Sequence, residues 1–199
     1  RGYMKKGSKK WLSDKGQGWS GNKMVKYWDP EWQGIVKQRV RAALGAGFDG
    51  VYLDRIDVHS EVTGKGIDPR AEMVRFVRAL SAKAKALNPA FLVIAQNAEE
   101  LLDDDSYLAA IDGIAKEDLL YGVDGEGRRN GRDMISQSAV RLKRARSAGK
   151  QVMVVEYLKD PRTIASTRTE LQELGFVPYF APRGLERLQV ENLEDEDTH

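Results

Sequence analysis

The chain has 199 residues, 41% of them hydrophobic, which is enough apolar material for one substantial domain and little for a second. Its 32 Lys and Arg against 30 Asp and Glu leave a formal charge of +2, too small by itself to argue for nucleic acid or an anionic membrane as partner. The absence of Cys excludes disulfides, thiolate nucleophiles and Cys-ligated metals, and two His, His59 and the terminal His199, leave little for a His-rich metal site.

No run approaches the roughly 18 apolar residues of a membrane span, and no basic-then-apolar signal opens the sequence. It begins at Arg1 rather than Met, so it reads as a fragment or processed product whose export signal would lie upstream.

Residues 1–23 are polar and Gly-rich, with Lys5, Lys6, Lys9 and Lys10 around Gly7-Ser8 and with Trp11 and Trp19 interspersed. Basic residues among aromatics can bind nucleic acid, but a solvated lead-in loop with two Trp packed on a domain is the preferred reading. From residue 24 to about 190 the sequence reads as one domain of strand–helix units, and the acidic tail 191–199 is expected to fray. Residues 24–27 form a short strand, and 31–46 follow as a helix with Ile35, Val36, Val40, Ala43 and Leu44 on one side. A buried strand at 49–54 carries Asp54 at its end and Asp57 just beyond. Asp68-Pro69 then places an N-cap and a first-turn proline before a long amphipathic helix that runs to Asn88-Pro89.

The apolar run 91–95 ends in Gln96-Asn97, as expected of a parallel strand buried on both faces, and 98–109 turns helical. The unit repeats. Residues 111–115 lead to Lys116-Glu117-Asp118, a Gly-rich loop runs to about 130, and a basic helix covers about 131–148. Strand 151–155 ends in Glu156-Tyr157, a helix spans about 161–174, and 176–180 is the last strand. Six strands separated by helices predict a parallel sheet with right-handed crossovers. The spacing Gly122, Gly125, Gly127 is late and is not a dinucleotide fingerprint, so a (β/α)₈ barrel is favoured over a doubly wound sheet. A complete barrel needs ~250 residues, so about the first two strands are expected to be missing, leaving an open sheet edge.

Every strand end is polar: Asp29, Asp54 with Asp57, Gln96-Asn97, Glu117-Asp118, Glu156-Tyr157. In a barrel these share one mouth, acidic and flanked by Trp28, Tyr121, Tyr157 and Tyr179, which suits a neutral or cationic sugar. Two carboxylates across such a cleft can cleave a glycosidic bond, and Asp54 with Glu117 is the chosen pair. The competing reading of each is a salt bridge, Asp54 to Arg55 and Glu117 to Lys116. Asp57 is a substrate ligand or a loop cap, Asp29 a binding residue or the N-cap of the helix after Pro30, and Glu156 an alternative acid or a buried acceptor. His59 is expected on a surface loop. Of Glu117 and Asp118 only one should enter the mouth, because neighbouring strand residues face opposite ways. Asp103-Asp104-Asp105 lacks the spacing of a calcium loop and reads as a helix cap or a frayed helix end. A divalent metal on Asp29, Asp54, Asp57 and Glu117 is a further alternative.

Four segments carry a family resemblance: Tyr27-Trp28-Asp29-Pro30-Glu31-Trp32-Gln33, residues 47–57, Gln96-Asn97-Ala98-Glu99-Glu100-Leu101, and residues 113–121. In that order over roughly residues 24–181 the chain resembles glycoside hydrolase family 114, TIM-barrel endo-α-1,4-polygalactosaminidases. The resemblance implies Asp54 as nucleophile and Glu117 as general acid/base in a retaining mechanism without cofactor or metal. It implies that Tyr27, Asp29, Asp57, Gln96, Asn97, Tyr121, Glu156 and Tyr157 line the sugar subsites. It further implies a galactosamine-rich polysaccharide as partner, an extracellular or periplasmic location, and a monomer when the barrel is complete. The family's first two strands have no counterpart here, so a non-catalytic carbohydrate-binding barrel, or a truncated remnant, is the competing reading.

Overall fold

Apolar strands alternate with helices along the structure, a computed structural model that describes residues 10–16, 23–62 and 66–184. An antiparallel hairpin, β1 (Leu12–Gly16) and β2 (Lys23–Val25), opens it. Then follow α1 (Pro30–Gly45), β3 (Gly50–Leu53), a 3₁₀ turn (Ile56–Glu61), α2 (Pro69–Lys85) and β4 (Leu92–Gln96). A second 3₁₀ turn (Glu99–Asp103), α3 (Asp105–Ala110) and β5 (Gly113–Glu117) come next. A small hairpin, β6 (Tyr121–Gly122) and β7 (Gly125–Arg129), precedes α4 (Arg132–Ser147), β8 (Gln151–Glu156), α5 (Pro161–Glu173) and β9 (Val177–Phe180).

Asp-Pro starts three of the helices. Asp29, Asp68 and Asp160 each accept from the backbone of the first turn while the following proline occupies the first helical position, where its missing N–H costs nothing. Asp104 caps α3 in the same manner, so the triple-Asp run is a helix start.

Strands β3, β4, β5, β8 and β9 form one parallel sheet in that order. The expected sixth strand, β2, is not part of it. Lys23-Met24-Val25 is short and flanked by Lys26, without the two-sided apolar run of a buried parallel strand, and it pairs with β1 instead. The lead-in stretch is thus partly strand rather than loop: Lys26 N–H donates to Trp11 O at 2.7 Å, and the buried Trp11 ring rests on Trp32 with centroids 4.9 Å apart. The Gly-rich stretch before α4 likewise holds a hairpin, which periodicity could not show because β7, Gly-Glu-Gly-Arg-Arg, is exposed throughout. Residues 17–22 and the tail 191–199 lie outside the described residues.

Alternation sorts the sheet into two faces. Val93, Ala95, Ile114, Val152 and Val154 are buried beneath the helices, among Val77, Leu101, Leu102 and Leu142. Tyr52, Ile94, Gln96, Ala115, Glu117, Met153, Val155 and Tyr179 fall on the opposite face, the one that lines the interior of a closed barrel. Five strands do not close it. The architecture is an incomplete (β/α)₈ barrel.

Candidate active site

The chain turns left-handed where the strands end. The non-glycine residues of positive φ among those described are Arg55 after β3, Asn97 and Ala98 after β4, and Asp118 after β5, with φ of 62°, 53°, 54° and 52°. Asn and Asp tolerate this region; Arg and Ala do so at a cost, and such cost gathers where geometry serves function.

Glu117 is the most heavily held of the strand-end groups. Gln96 Nε2 and Asn97 Nδ2 both donate to its Oε2, at 2.7 and 3.0 Å, and the Tyr157 hydroxyl donates to its Oε1. Its own N–H donates to Asn97 Oδ1 at 2.9 Å. Gln96 also reaches sideways, for its Oε1 accepts from Arg55 N–H at 3.0 Å, so one side chain ties the tip of β3 to the Glu117 carboxylate. Lys116 points to the helix side and pairs with Glu99 at 3.3 Å, and Glu99 also accepts from Ser138 Oγ at 2.5 Å. Strand alternation separates Glu117 from Lys116 but, contrary to expectation, not Glu117 from Asp118, which lies past the end of β5, and both of these carboxylates line one cleft.

Asp54 follows Tyr52 by two positions, in the turn just past the end of β3, where it is exposed and outside the residues that line the cleft. The Tyr52 hydroxyl is pushed up to about 12, first by burial and then by the negative charges of Glu117 and Asp54. Asp57, in the 3₁₀ turn after β3, is half-buried, and its Oδ1 has no hydrogen-bond partner among the described residues. Burial raises its pKa, Arg55 opposes, and Glu61 and Asp54 add to the rise. Asp57, Ser60, Asn97, Glu99, Glu117 and Asp118 are among the residues lining a cleft of about 380 Å³ at this mouth.

The remaining expected ligands have other engagements. Tyr27 is buried and its hydroxyl donates to Pro69 O at 2.7 Å, while Asp29 accepts from Glu31 N–H and caps α1; both stand at the corner between β2 and α1. Glu156 is 0% exposed, on the helix side of β8, where it accepts from Leu120 N–H at 2.7 Å and Tyr121 N–H at 3.3 Å. Burial pushes its carboxyl up to about 7, against the opposing effect of the two N–H donors. The Tyr121 hydroxyl accepts from Arg129. His59, expected on the surface, is 6% exposed: its Nδ1 lies 2.9 Å from Ile56 O and its Nε2 3.0 Å from Glu100 Oε1. A carbonyl can only accept, so Nδ1 carries a proton there, and the carboxylate facing Nε2 favours the protonated ring. That partner, remote in sequence, is why a polar loop residue is buried.

Two supporting residues carry no sequence signal. Asn130 is buried and holds the 118–123 loop, donating to Asp118 O and Leu119 O and accepting from Val123 N–H. Arg183, just past β9, donates twice to Asp118, at 3.0 Å each, and lies over the Tyr157 ring. Among the described residues no group of three or more His, Asp or Glu is placed to hold a metal ion, and no helix is long and apolar enough to cross a membrane.

A parallel β/α sheet with carboxylates and amide donors at the C-terminal ends of its strands is the frame on which barrel glycosidases are built. The chain belongs to glycoside hydrolase family GH114, whose profile matches residues 1–196. It is similar to uncharacterized proteins of Deinococcus radiodurans (35% identical, covering 94% of this chain and 61% of that protein) and Thermotoga maritima (31%, 92% and 60%). An uncharacterized protein of Methanocaldococcus jannaschii, MJ1477, is 32% identical, with 86% of this chain and 53% of that protein covered. The chain thus spans between half and two thirds of the length of these relatives. Two solved structures share the fold. The glycoside hydrolase domain of PelA from Pseudomonas aeruginosa superposes with a TM-score of 0.72 at 18% identity, covering 89% of this chain and 70% of that one. Aspergillus fumigatus Ega3, in complex with galactosamine, gives a TM-score of 0.68 at 18% identity, covering 88% and 66%.

Proposed function

We propose that this chain forms the catalytic part of an endo-acting glycoside hydrolase that cleaves an α-1,4-linked, galactosamine-rich polysaccharide by a two-carboxylate, retaining mechanism. The observation that carries the reading is the arrangement around Glu117: a mouth-facing carboxylate held on three sides, with Asp54 at the tip of the strand next but one. Adjacent strands lie about 4.8 Å apart, so the β3 and β5 backbones stand about 10 Å from each other, a span that two carboxyl side chains can bridge to within glycosidase range if both lean toward the cleft.

In this reading Asp54 attacks the anomeric carbon while Glu117 protonates the departing glycosidic oxygen, giving a glycosyl ester on Asp54. Water, deprotonated by Glu117, then attacks the same carbon and releases the sugar with its original configuration. Oε2 of Glu117 is occupied by two amide donors, so Oε1, met only by the Tyr157 hydroxyl, is the oxygen that exchanges the proton. The cleft lining sets Asp57, Glu99, Glu100, Glu117 and Asp118 against Lys116, an acidic balance that favours a polymer bearing free, cationic amines. The galactosamine bound to Ega3 and the fold shared with it support that substrate class. Asp57, Tyr121 and Tyr157 serve as subsite residues, and action on such a polymer places the protein outside the cytoplasm.

The test is release of reducing ends from partly deacetylated galactosamine polymers. The unaltered protein should release them, and Asp54→Asn and Glu117→Gln should each lower the rate about a thousandfold or more. Binding of the polymer without new reducing ends would instead establish a carbohydrate-binding barrel.

A further inference from the structure

We propose that Arg183 is a positioning residue for this site, a clamp from the loop after β9 that fixes the Tyr157 ring against Asp118 and thereby holds the hydroxyl that meets Glu117. The catalytic consequence rests on the hydrolase reading above; the clamp itself rests on contacts.

The guanidinium makes two different contacts at once. Its Nη1 and Nη2 donate to Asp118 Oδ2 and Oδ1, both at 3.0 Å, a fork-to-fork pair that sets the plane of the group. Its carbon lies 4.5 Å from the centroid of the Tyr157 ring, which is buried, so the cation covers an aromatic face screened from water. The Tyr157 hydroxyl at the far end of that ring donates to Glu117 Oε1. Glu117 and Asp118 are neighbours in sequence and both line the cleft, yet with the left-handed turn at Asp118 one carboxylate meets Tyr157 and the other Arg183. The ring is therefore held from both ends, by the first carboxylate at its hydroxyl and by the partner of the second across its face.

Gly122 supplies the room. It has φ of +107°, and a Cβ added there would lie 2.4 Å from Asp118 Oδ1 and 3.1 Å from Arg183 Nη2. An exposed ion pair alone contributes little, and the Arg183 side chain is 48% exposed. The consequence of the clamp is accordingly expected in geometry at Glu117 rather than in global stability. Lysine cannot replace it, because a single ammonium cannot grip a carboxylate in a fork while lying flat on a ring.

The test is a double-mutant cycle read by fluorine NMR and by kinetics. With 3-fluorotyrosine at the seven Tyr positions, Tyr157→Phe identifies the resonance of residue 157. Glu117→Gln should move that resonance in the otherwise unaltered protein, and by less than half as much in Arg183→Gln, Arg183→Lys and Gly122→Ala backgrounds, because the contact that transmits the change is lost. On a polymer that the unaltered protein cleaves, Arg183→Gln should lower kcat about ten- to a hundredfold with KM within about twofold, and Arg183→Lys should not restore it. An equal displacement of the resonance in all backgrounds overturns the clamp, and an unchanged kcat in Arg183→Gln overturns its role in the reaction. A protein that cleaves nothing overturns the hydrolase reading instead, and the fluorine shifts then decide for or against the clamp by themselves.

Discussion

Glu156 and Glu117 lie at the ends of adjacent strands but do opposite work. Glu117 faces the mouth with three donors around it, whereas Glu156 is sealed on the helix side, accepting from the backbone of the loop that follows Glu117. Burial raises the Glu156 carboxyl from 4.5 to about 7. A carboxyl whose folded value is raised binds its proton more tightly when folded, so its burial costs nothing below pH 4.5 and destabilises progressively until pH passes about 7. The unaltered protein should therefore lose on the order of 3 kcal/mol relative to Glu156→Gln across that window, as read from urea unfolding at several pH values. A gap that stays constant with pH would contradict the assignment. The polar residues at the strand ends were legible, because Asp54, Gln96, Asn97 and Glu117 end apolar runs. Arg183 was not: one arginine after the last strand, in a chain with 32 Lys and Arg, becomes notable only when Asp118 and Tyr157 are brought to it.

The elements behind the mouth are joined by ion pairs as well as by packing. His59 on the first 3₁₀ turn meets Glu100 on the second, and Arg70 of α2 donates to Glu100 O at 2.6 Å, so the two turns that line the cleft are tied to each other and to α2. For His59 burial opposes the charge, but the hydrogen bonds to Glu100 and Ile56 O outweigh it and raise the pKa; His59 in turn lowers that of Glu100. A histidine raised in the folded state stabilises fully below its unfolded value of 6.5, and that contribution disappears as pH rises through the folded value. His59→Gln should accordingly be most destabilising, by about 1–3 kcal/mol, near pH 6, and should approach the unaltered protein at higher pH. The pH-dependence of the difference in urea midpoint checks this, and a flat difference would count against it. Helix positions were readable from their Asp-Pro starts and apolar spacing. The two hairpins were not: β1 and β7 have neither the alternation nor the apolar run by which strands announce themselves, and the strand read at residues 24–27 was expected in the parallel sheet rather than paired with β1.

At the scale of the molecule, the sheet is open and its barrel-facing side keeps apolar groups in solvent: Tyr52 is 51% exposed, Leu92 45% and Val177 40%. The strand–helix rhythm made the barrel class legible, while the number of strands in the sheet, five rather than six, depended on β2 finding an antiparallel partner. The chain belongs to GH114 and shares its fold with PelA and Ega3, and the proposed pair, Asp54 with Glu117, is what remains to be tested. The most direct measurement is intact and peptide mass spectrometry of the Glu117→Gln protein after reaction with an activated galactosaminyl fluoride, whose fluoride leaves without acid assistance. The expected result is a mass gain of one glycosyl residue, mapped to Asp54 and abolished in Asp54→Asn. An adduct on another residue, or release of the inverted sugar with no adduct, would contradict it.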